Sequence, residues 1–234
     1  MKFILTLPVL LFIFSCGTYR PATETSNNAY PYATDTLITQ SLFSDRSASI
    51  SEENIQRLLD GNYKLPAKLR VAVVRLENNA SRRYSWNDED LLKTQQSYLD
   101  SFTAKLRQSP RVQKVNIVPE IVLSKTPGFT QLREAAVRLQ SDIVIVYSIT
   151  SDIYSRYKVF SSPDLKAFAT TQLILLDVRT GMVPFSTIVT KDQLSKKTRS
   201  ELDNSQAMAR VQQEAVLLSI EESGRQLLDF LKMD

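Results

Sequence analysis

Two short turn segments in the second half of the chain constrain its fold more than any other feature. Ser161-Ser-Pro-Asp164 and Arg179-Thr-Gly181 are built from turn-forming residues. They separate three runs with strand character: Asp142 to Ile149 with alternation on through Ile153, Ser155, Tyr157 and Val159, then Lys166 to Val178, then Met182 to Lys191. Links this short cannot carry the chain back across a sheet, because a parallel connection needs about a dozen residues or more. The three runs are therefore expected to form an antiparallel meander.

The first half reads as strand and helix in alternation. Leu69 to Leu76 is β-branched and apolar and ends at Asn78-Asn79, the pattern of a buried strand. Asn87 or Asp88 then caps a helix with Leu91, Leu92, Gln95, Tyr98, Leu99, Phe102 and Leu106 at three- and four-residue spacing, ended by Ser109-Pro110. Val112 to Val118 alternates as a shorter strand, and Thr130 caps a helix with Leu132, Ala135, Ala136 and Leu139 on its apolar face. Ala207 to Leu231 is a long amphipathic helix. The expected class is α/β (α+β): a mixed sheet in β-α-β-α-β-β-β-α order, with a C-terminal antiparallel meander and a long final helix. A short leading helix is expected over 51–61, with Ser51 as cap, Ile55, Leu58 and Leu59 as an apolar stripe packed on the domain, and Gly61 as a left-handed stop.

The N-terminus carries a different signal. Lys2 precedes the apolar stretch Phe3 to Phe14, which closes on Ser15-Cys16-Gly17 and is too short to span a bilayer, so 1–15 reads as an export leader. Ile13-Phe14-Ser15-Cys16 resembles the lipobox of bacterial lipoproteins, which implies cleavage before Cys16 and a diacylglyceryl group on its thiol. Residues 16–50 follow as a lipidated N-terminus and tether, rich in Thr, Ser, Ala, Asn and Tyr without a sustained period. As a coil such a tether spans roughly 30 Å and stretches to about 100 Å. Asp35-Thr36-Leu37 within it resembles the O-glycan attachment sites of some Bacteroidetes. Residues 51–234 are left for a single α/β domain.

Composition narrows the chemistry. The chain has no histidine, and its one cysteine is Cys16, so imidazole bases, Ser-His and Cys-His nucleophiles and His/Cys zinc sites are excluded. No cluster resembles a calcium loop, and no cofactor is implied. The net charge of +4, one unit of which leaves with Lys2, is too mild and too dispersed for a nucleic-acid partner. Asp142, Asp152 and Asp177 could in principle form a carboxylate pair for glycoside hydrolysis, but nothing in their spacing brings two together.

Leu69 to Leu76, the turn Leu139-Gln-Ser-Asp142, the apolar run Ile143 to Ile149 and Leu173-Ile-Leu-Leu-Asp-Val-Arg-Thr-Gly181 together resemble a fold of secreted bacterial domains. It is shared by the curli secretion lipoprotein CsgG, the penicillin-binding-protein activator LpoB and the N-terminal domain of TolB. The likeness covers about Leu65 to Leu231. The LpoB-like members imply a non-catalytic docking or regulatory domain for a cell-envelope complex; Gly17 and Thr18 put no acidic residue behind Cys16, which by the sorting rule of enteric bacteria favours a lipid anchor on the periplasmic face of the outer membrane. The CsgG-like members imply instead a subunit of an outer-membrane secretion pore, with two membrane-spanning hairpins per chain. Polar residues between Thr150 and Ala169, and the lack of alternation in Asp192 to Asn204, argue against that alternative. A carboxylate-dependent envelope hydrolase is the third reading, and an enzyme is not expected.

For docking, the candidate surface is the meander's first hairpin: Tyr154, Arg156, Tyr157, Lys158 and Phe160, with Phe168. The same aromatics would equally serve as cross-strand pairs of a half-buried sheet. Arg82, Arg83 and Tyr84, ahead of Trp86, form a second basic-aromatic loop. A homo-oligomer is not favoured.

Overall fold

The first strand is apolar at nearly every position because both of its faces and both of its edges are covered. The computed structural model describes residues 41–43, 50–76, 89–124, 126–158 and 161–232, with the backbone alone at 89–91, 156–158 and 161–163. Its strands are β1 (Leu69–Arg75), β2 (Val112–Ile117), β3 (Ile143–Lys158), β4 (Ser161–Asp177) and β5 (Phe185–Lys196). Its helices are α1 (Glu52–Leu59), α2 (Glu89–Leu106), α3 (Phe129–Arg138) and α4 (Asn204–Lys232). The sheet runs β2-β1-β3-β4-β5, parallel between β1 and its two neighbours and antiparallel from β3 onward. The mixed sheet, the meander and the long final helix are as the sequence predicts.

The chain goes out to β2 and then returns past β1 to β3, so connections of one hand place α2 and α3 on opposite faces. Two cores result. On one face Val71, Val73, Ile143, Ile145, Leu173 and Leu175 pack with Tyr98, Phe102 and Leu106 of α2 and with Val211, Ala215 and Ile220 of α4. On the other, Ala72, Val74, Val144, Val146 and Leu176 pack with Phe129, Leu132, Ala135 and Ala136 of α3. α3 has ten residues and is therefore about 15 Å long. It covers only the first part of β3, whose side chains from Ile143 to Ile149 are all buried, whereas those from Asp152 to Ser155 alternate.

Several local expectations are corrected. β3 runs to Lys158 and β4 begins at Ser161, so Ser161 to Asp164 lie within β4, where Asp164 pairs with Arg156. Pro163 is tolerated because the β4–β5 pairing begins only at Asp164↔Lys196, so β4 is an edge at that point. β5 extends through Asp192 to Lys196 in alternation, past the expected end at Lys191. α1 buries none of its residues and is followed by Asp60 in right-handed conformation; Gly61 is not left-handed. Gly128 caps α3 in place of Thr130. Ser41 to Phe43, inside the segment read as tether, lie against the domain: the Phe129 amide donates to the Leu42 carbonyl at 2.7 Å, and the Phe43 and Phe129 rings are 5.1 Å apart. Two adjacent apolar residues there find the rim of the α3-side core.

Candidate functional site

Beyond the end of α3, β3, β4 and β5 continue as a three-stranded blade with unequal faces. One face is sealed by α4, whose polar side chains reach the strands they cross: Gln212 Nε2 donates to Ser151 Oγ at 2.8 Å, and Gln193 Nε2 donates to Glu214 Oε2 at 3.0 Å. Buried Thr171 and Ser219 hydroxyls meet at 2.7 Å between blade and helix. The other face holds Asp152 and Tyr154 of β3, Lys166, Phe168, Thr170 and Gln172 of β4, and Ile188, Thr190, Asp192 and Leu194 of β5. Tyr154 is 58% exposed, Ile188 72% and Leu194 66%. Side chains this apolar on an open sheet are a surface that gains from being covered.

The centre of this face is tied together laterally. Tyr154 meets Phe168 edge to face with centroids 5.8 Å apart, and Lys166 Nζ stands 4.8 Å over the Phe168 ring while reaching Asp192 at 3.0 Å. The Thr170 and Thr190 hydroxyls are 2.9 Å apart. Asp152, two residues along the strand, hydrogen-bonds the Tyr154 phenol and holds its pKa above the usual tyrosine value. The pairs preorganise the aromatic patch, since Phe168 is held between Tyr154 of β3 and Lys166 of its own strand, which is itself tied to Asp192 of β5.

Of the residues expected to form the docking surface, Tyr154 and Phe168 are thus in contact on one face. Arg156 pairs in the backbone with Asp164 and Lys158 with Ser161, with an irregularity between them at Tyr157. Phe160 lies outside the described residues, as do Cys16, Thr36, Arg82, Arg83, Tyr84 and Trp86. Ile188, Leu194, Lys166 and Asp192 were not foreseen in this role. For the three on β5 the signal was present in Ser186-x-Ile188-x-Thr190-x-Asp192-x-Leu194, an outward row that the charges after Val189 disguised.

The three carboxylates weighed for hydrolysis are bound up elsewhere. Asp142 accepts from Arg70 through Nη2 at 2.8 Å, Nε at 2.9 Å and the backbone amide at 3.0 Å, and the Arg70 bonds hold its carboxyl down at about 2. Asp177 Oδ1 accepts from the amides of Arg179 and Thr180 and from the Thr180 hydroxyl, and Oδ2 accepts from Tyr63 at 3.1 Å. Burial, with Asp177 close by, raises the Tyr63 phenol far above its ordinary value. The Asp-Val-Arg-Thr-Gly segment is therefore a carboxylate-stapled turn that ends with Gly181 at φ +76°. Asp152 stands ten residues up β3 from Asp142, about 33 Å along the strand, far outside the separation of a glycosidase pair. Among the described residues no group of three acidic side chains could hold a metal ion.

No protein-family model matches the chain, and no curated protein matches its sequence. Solved structures do match. The chain is similar to a minor lipoprotein from Acinetobacter baumannii, at 11% identity over 71% of this chain and 95% of that one, with a TM-score of 0.36. It is similar to lipoprotein GNA1162 from Neisseria meningitidis, at 17% identity over 67% and 99%, with a TM-score of 0.31. It is also similar to a neuraminyllactose-binding hemagglutinin homolog from Helicobacter pylori, at 10% identity over 72% and 88%, with a TM-score of 0.43. Bacterial lipoproteins are thus among the structures it resembles, at scores too low to assign a family.

Proposed function

We propose that this chain is a lipid-anchored envelope protein whose domain works without catalysis, by docking onto an envelope complex through the open face of the β3–β4–β5 blade. The observation that carries this reading is the inequality of the two faces: α4 seals one, while Tyr154, Phe168, Ile188 and Leu194 stand on the other around a Lys166–Asp192 pair. An aromatic centre with a polar surround is the composition of interface hot spots. The anchor rests on Cys16, the tether gives the domain reach, the LpoB-like role rests on the resemblance, and the outer membrane rests on Gly17 and Thr18, which put no acidic residue behind Cys16. The absence of histidine and the structural employment of Asp142 and Asp177 support a non-catalytic part.

One observation favours a second reading, a pore subunit: β3 and β4, at 16 and 17 residues, exceed the roughly 9–11 that span a bilayer. Against it, the blade has one face under α4 and charged residues Asp152, Lys166 and Asp192 on the other. The two readings separate by crosslinking from intact membranes. Docking predicts a discrete envelope complex recovered with the wild type and reduced at least tenfold by Tyr154→Ala with Thr170→Arg, at a melting temperature within about 2 °C, as for exposed positions. Channel conductance in planar bilayers, or the same partner at the same yield from the double variant, would sink it.

A further inference from the structure

Among the described residues β5 has a strand neighbour on one side only, since it closes the sheet in the order β2-β1-β3-β4-β5. A long edge strand is a template for another strand, and proteins usually blunt such edges with proline, bulges, shortness or charged side chains, of which β5 has Lys191 at its centre, facing the Glu222 carboxylate of its own chain. β5 contains no proline and pairs with β4 in unbroken register from Phe185 to Lys196. Its outer edge is regular for its whole length.

The flank of α4 beside this edge can be aligned with it. Three side-chain bridges fix the alignment: Arg210 to Ser195 at 3.4 Å, Glu214 to Gln193 at 3.0 Å, and Gln226 to Thr187. A strand advances about 3.3 Å per residue and a helix about 1.5 Å, so two helix residues pass for each strand residue. Between these bridges Leu218 comes level with Lys191. Glu214, Leu218, Glu222 and Gln226 form a four-residue row along β5, and Leu218 in the middle of it is 44% exposed.

We infer that β5 pairs with β5 of a second copy of this chain, antiparallel about a two-fold axis at Lys191. Residues opposed across such a pair lie on the same face, and an axis at Lys191 sets Ile188 of each copy against Leu194 of the other. Those are the two most exposed apolar side chains of the open face. The same axis brings Leu218 of α4 against Leu218 of the second copy. α4 packs on β4 and β5 alike, so its axis runs about half a strand spacing inside the edge. Adding one strand spacing leaves the two α4 helices about 10 Å apart, the distance at which helices pack. The two Lys191 side chains at the axis each have Glu222 of their own chain as counter-charge. An isologous contact of this kind is self-complementary by construction. Its strip from Thr187 to Ser195 is about 30 Å long and buries on the order of 500 Å² per partner, the class of weak, reversible interfaces. It extends the open face of one blade into that of the other.

The test uses the chain from residue 16 onward carrying Cys16→Ser, so that an introduced thiol is unique. Sedimentation between 1 and 200 µM is expected to show a monomer–dimer equilibrium, weakened at least tenfold by Ile188→Asp and by Leu218→Asp without a change in melting temperature. Lys191→Cys alone is expected to give a disulfide-linked dimer, whereas Thr187→Cys and Ser195→Cys give one only when mixed. A monomer throughout that range overturns the proposal, as does a dimer indifferent to both Asp variants. Equal self-crosslinking of Thr187→Cys and Lys191→Cys overturns the register.

Discussion

Arg70 and Asp142 join the starts of β1 and β3 through a forked ion pair, with Nη2 to Oδ1 at 2.8 Å and Nε to Oδ2 at 2.9 Å, across 72 residues of sequence. The Arg70 amide adds a third bond to the same carboxylate, so the pair sets the register of the parallel strands as well as neutralising a charge.

That arrangement makes stability depend on acid in a defined direction. Asp142 titrates at about 2 in the fold, against an unfolded value near 3.9. Because the folded value is the lower, the contribution is complete above about pH 4 and disappears as pH falls through about 2. Asp142→Asn is expected to flatten this part of the acid limb and to cost about 1–2 kcal/mol at pH 7. Denaturant melts at pH 7, 4 and 2.5 measure both effects, and parallel acid slopes for wild type and variant would refute the assignment.

Gly181 ends the stapled turn at φ +76°, where a Cβ would also stand 3.0 Å from Phe129 Cζ. Left-handed backbone alone costs an L-residue about 1–2 kcal/mol. Gly181→Ala is expected to lower the melting temperature by about 2–8 °C, given a few degrees per kcal/mol in a domain of this size. An unchanged melting temperature would mean that the turn relaxes freely.

The buried Thr171 and Ser219 hydroxyls should be unequal in a double-mutant cycle. Ser219 Oγ also donates to the Val216 carbonyl at 2.8 Å, so it accepts from Thr171. Ser219→Ala strands the Thr171 hydroxyl in the core and should cost about 1–3 kcal/mol, whereas Thr171→Val leaves Ser219 with its carbonyl and should cost less. The double variant should be more stable than the sum of the singles by about 1 kcal/mol. Strict additivity, measured by urea denaturation, would rule out the shared bond.

For the anchor, Cys16→Ala is expected to move the protein from the membrane to the soluble fraction after cell breakage. Retention at the membrane would remove the lipid from the proposed function.

The kinds of element and their order were legible in the residues, because each has a local cause. Two-residue and 3.6-residue periods separate strands from helices, and the continuous apolar run of β1 announces a strand covered on both faces. The Arg-Thr-Gly turn was readable because glycine is the residue that a left-handed position demands. Whatever depends on a distant partner came only with packing. Ser161-Ser-Pro-Asp164 has turn chemistry but was captured as strand, because Asp164 finds Arg156 on one side and Lys196 on the other. Asp142 looked like a candidate acid until Arg70 was folded against it. The open face could not be read from Tyr154 or Phe168, whose alternation is the same whether a helix covers them or not. It exists because α3 ends after ten residues while β3, β4 and β5 run on, and where a helix stops relative to the strands beneath it is a property of packing rather than of any local pattern.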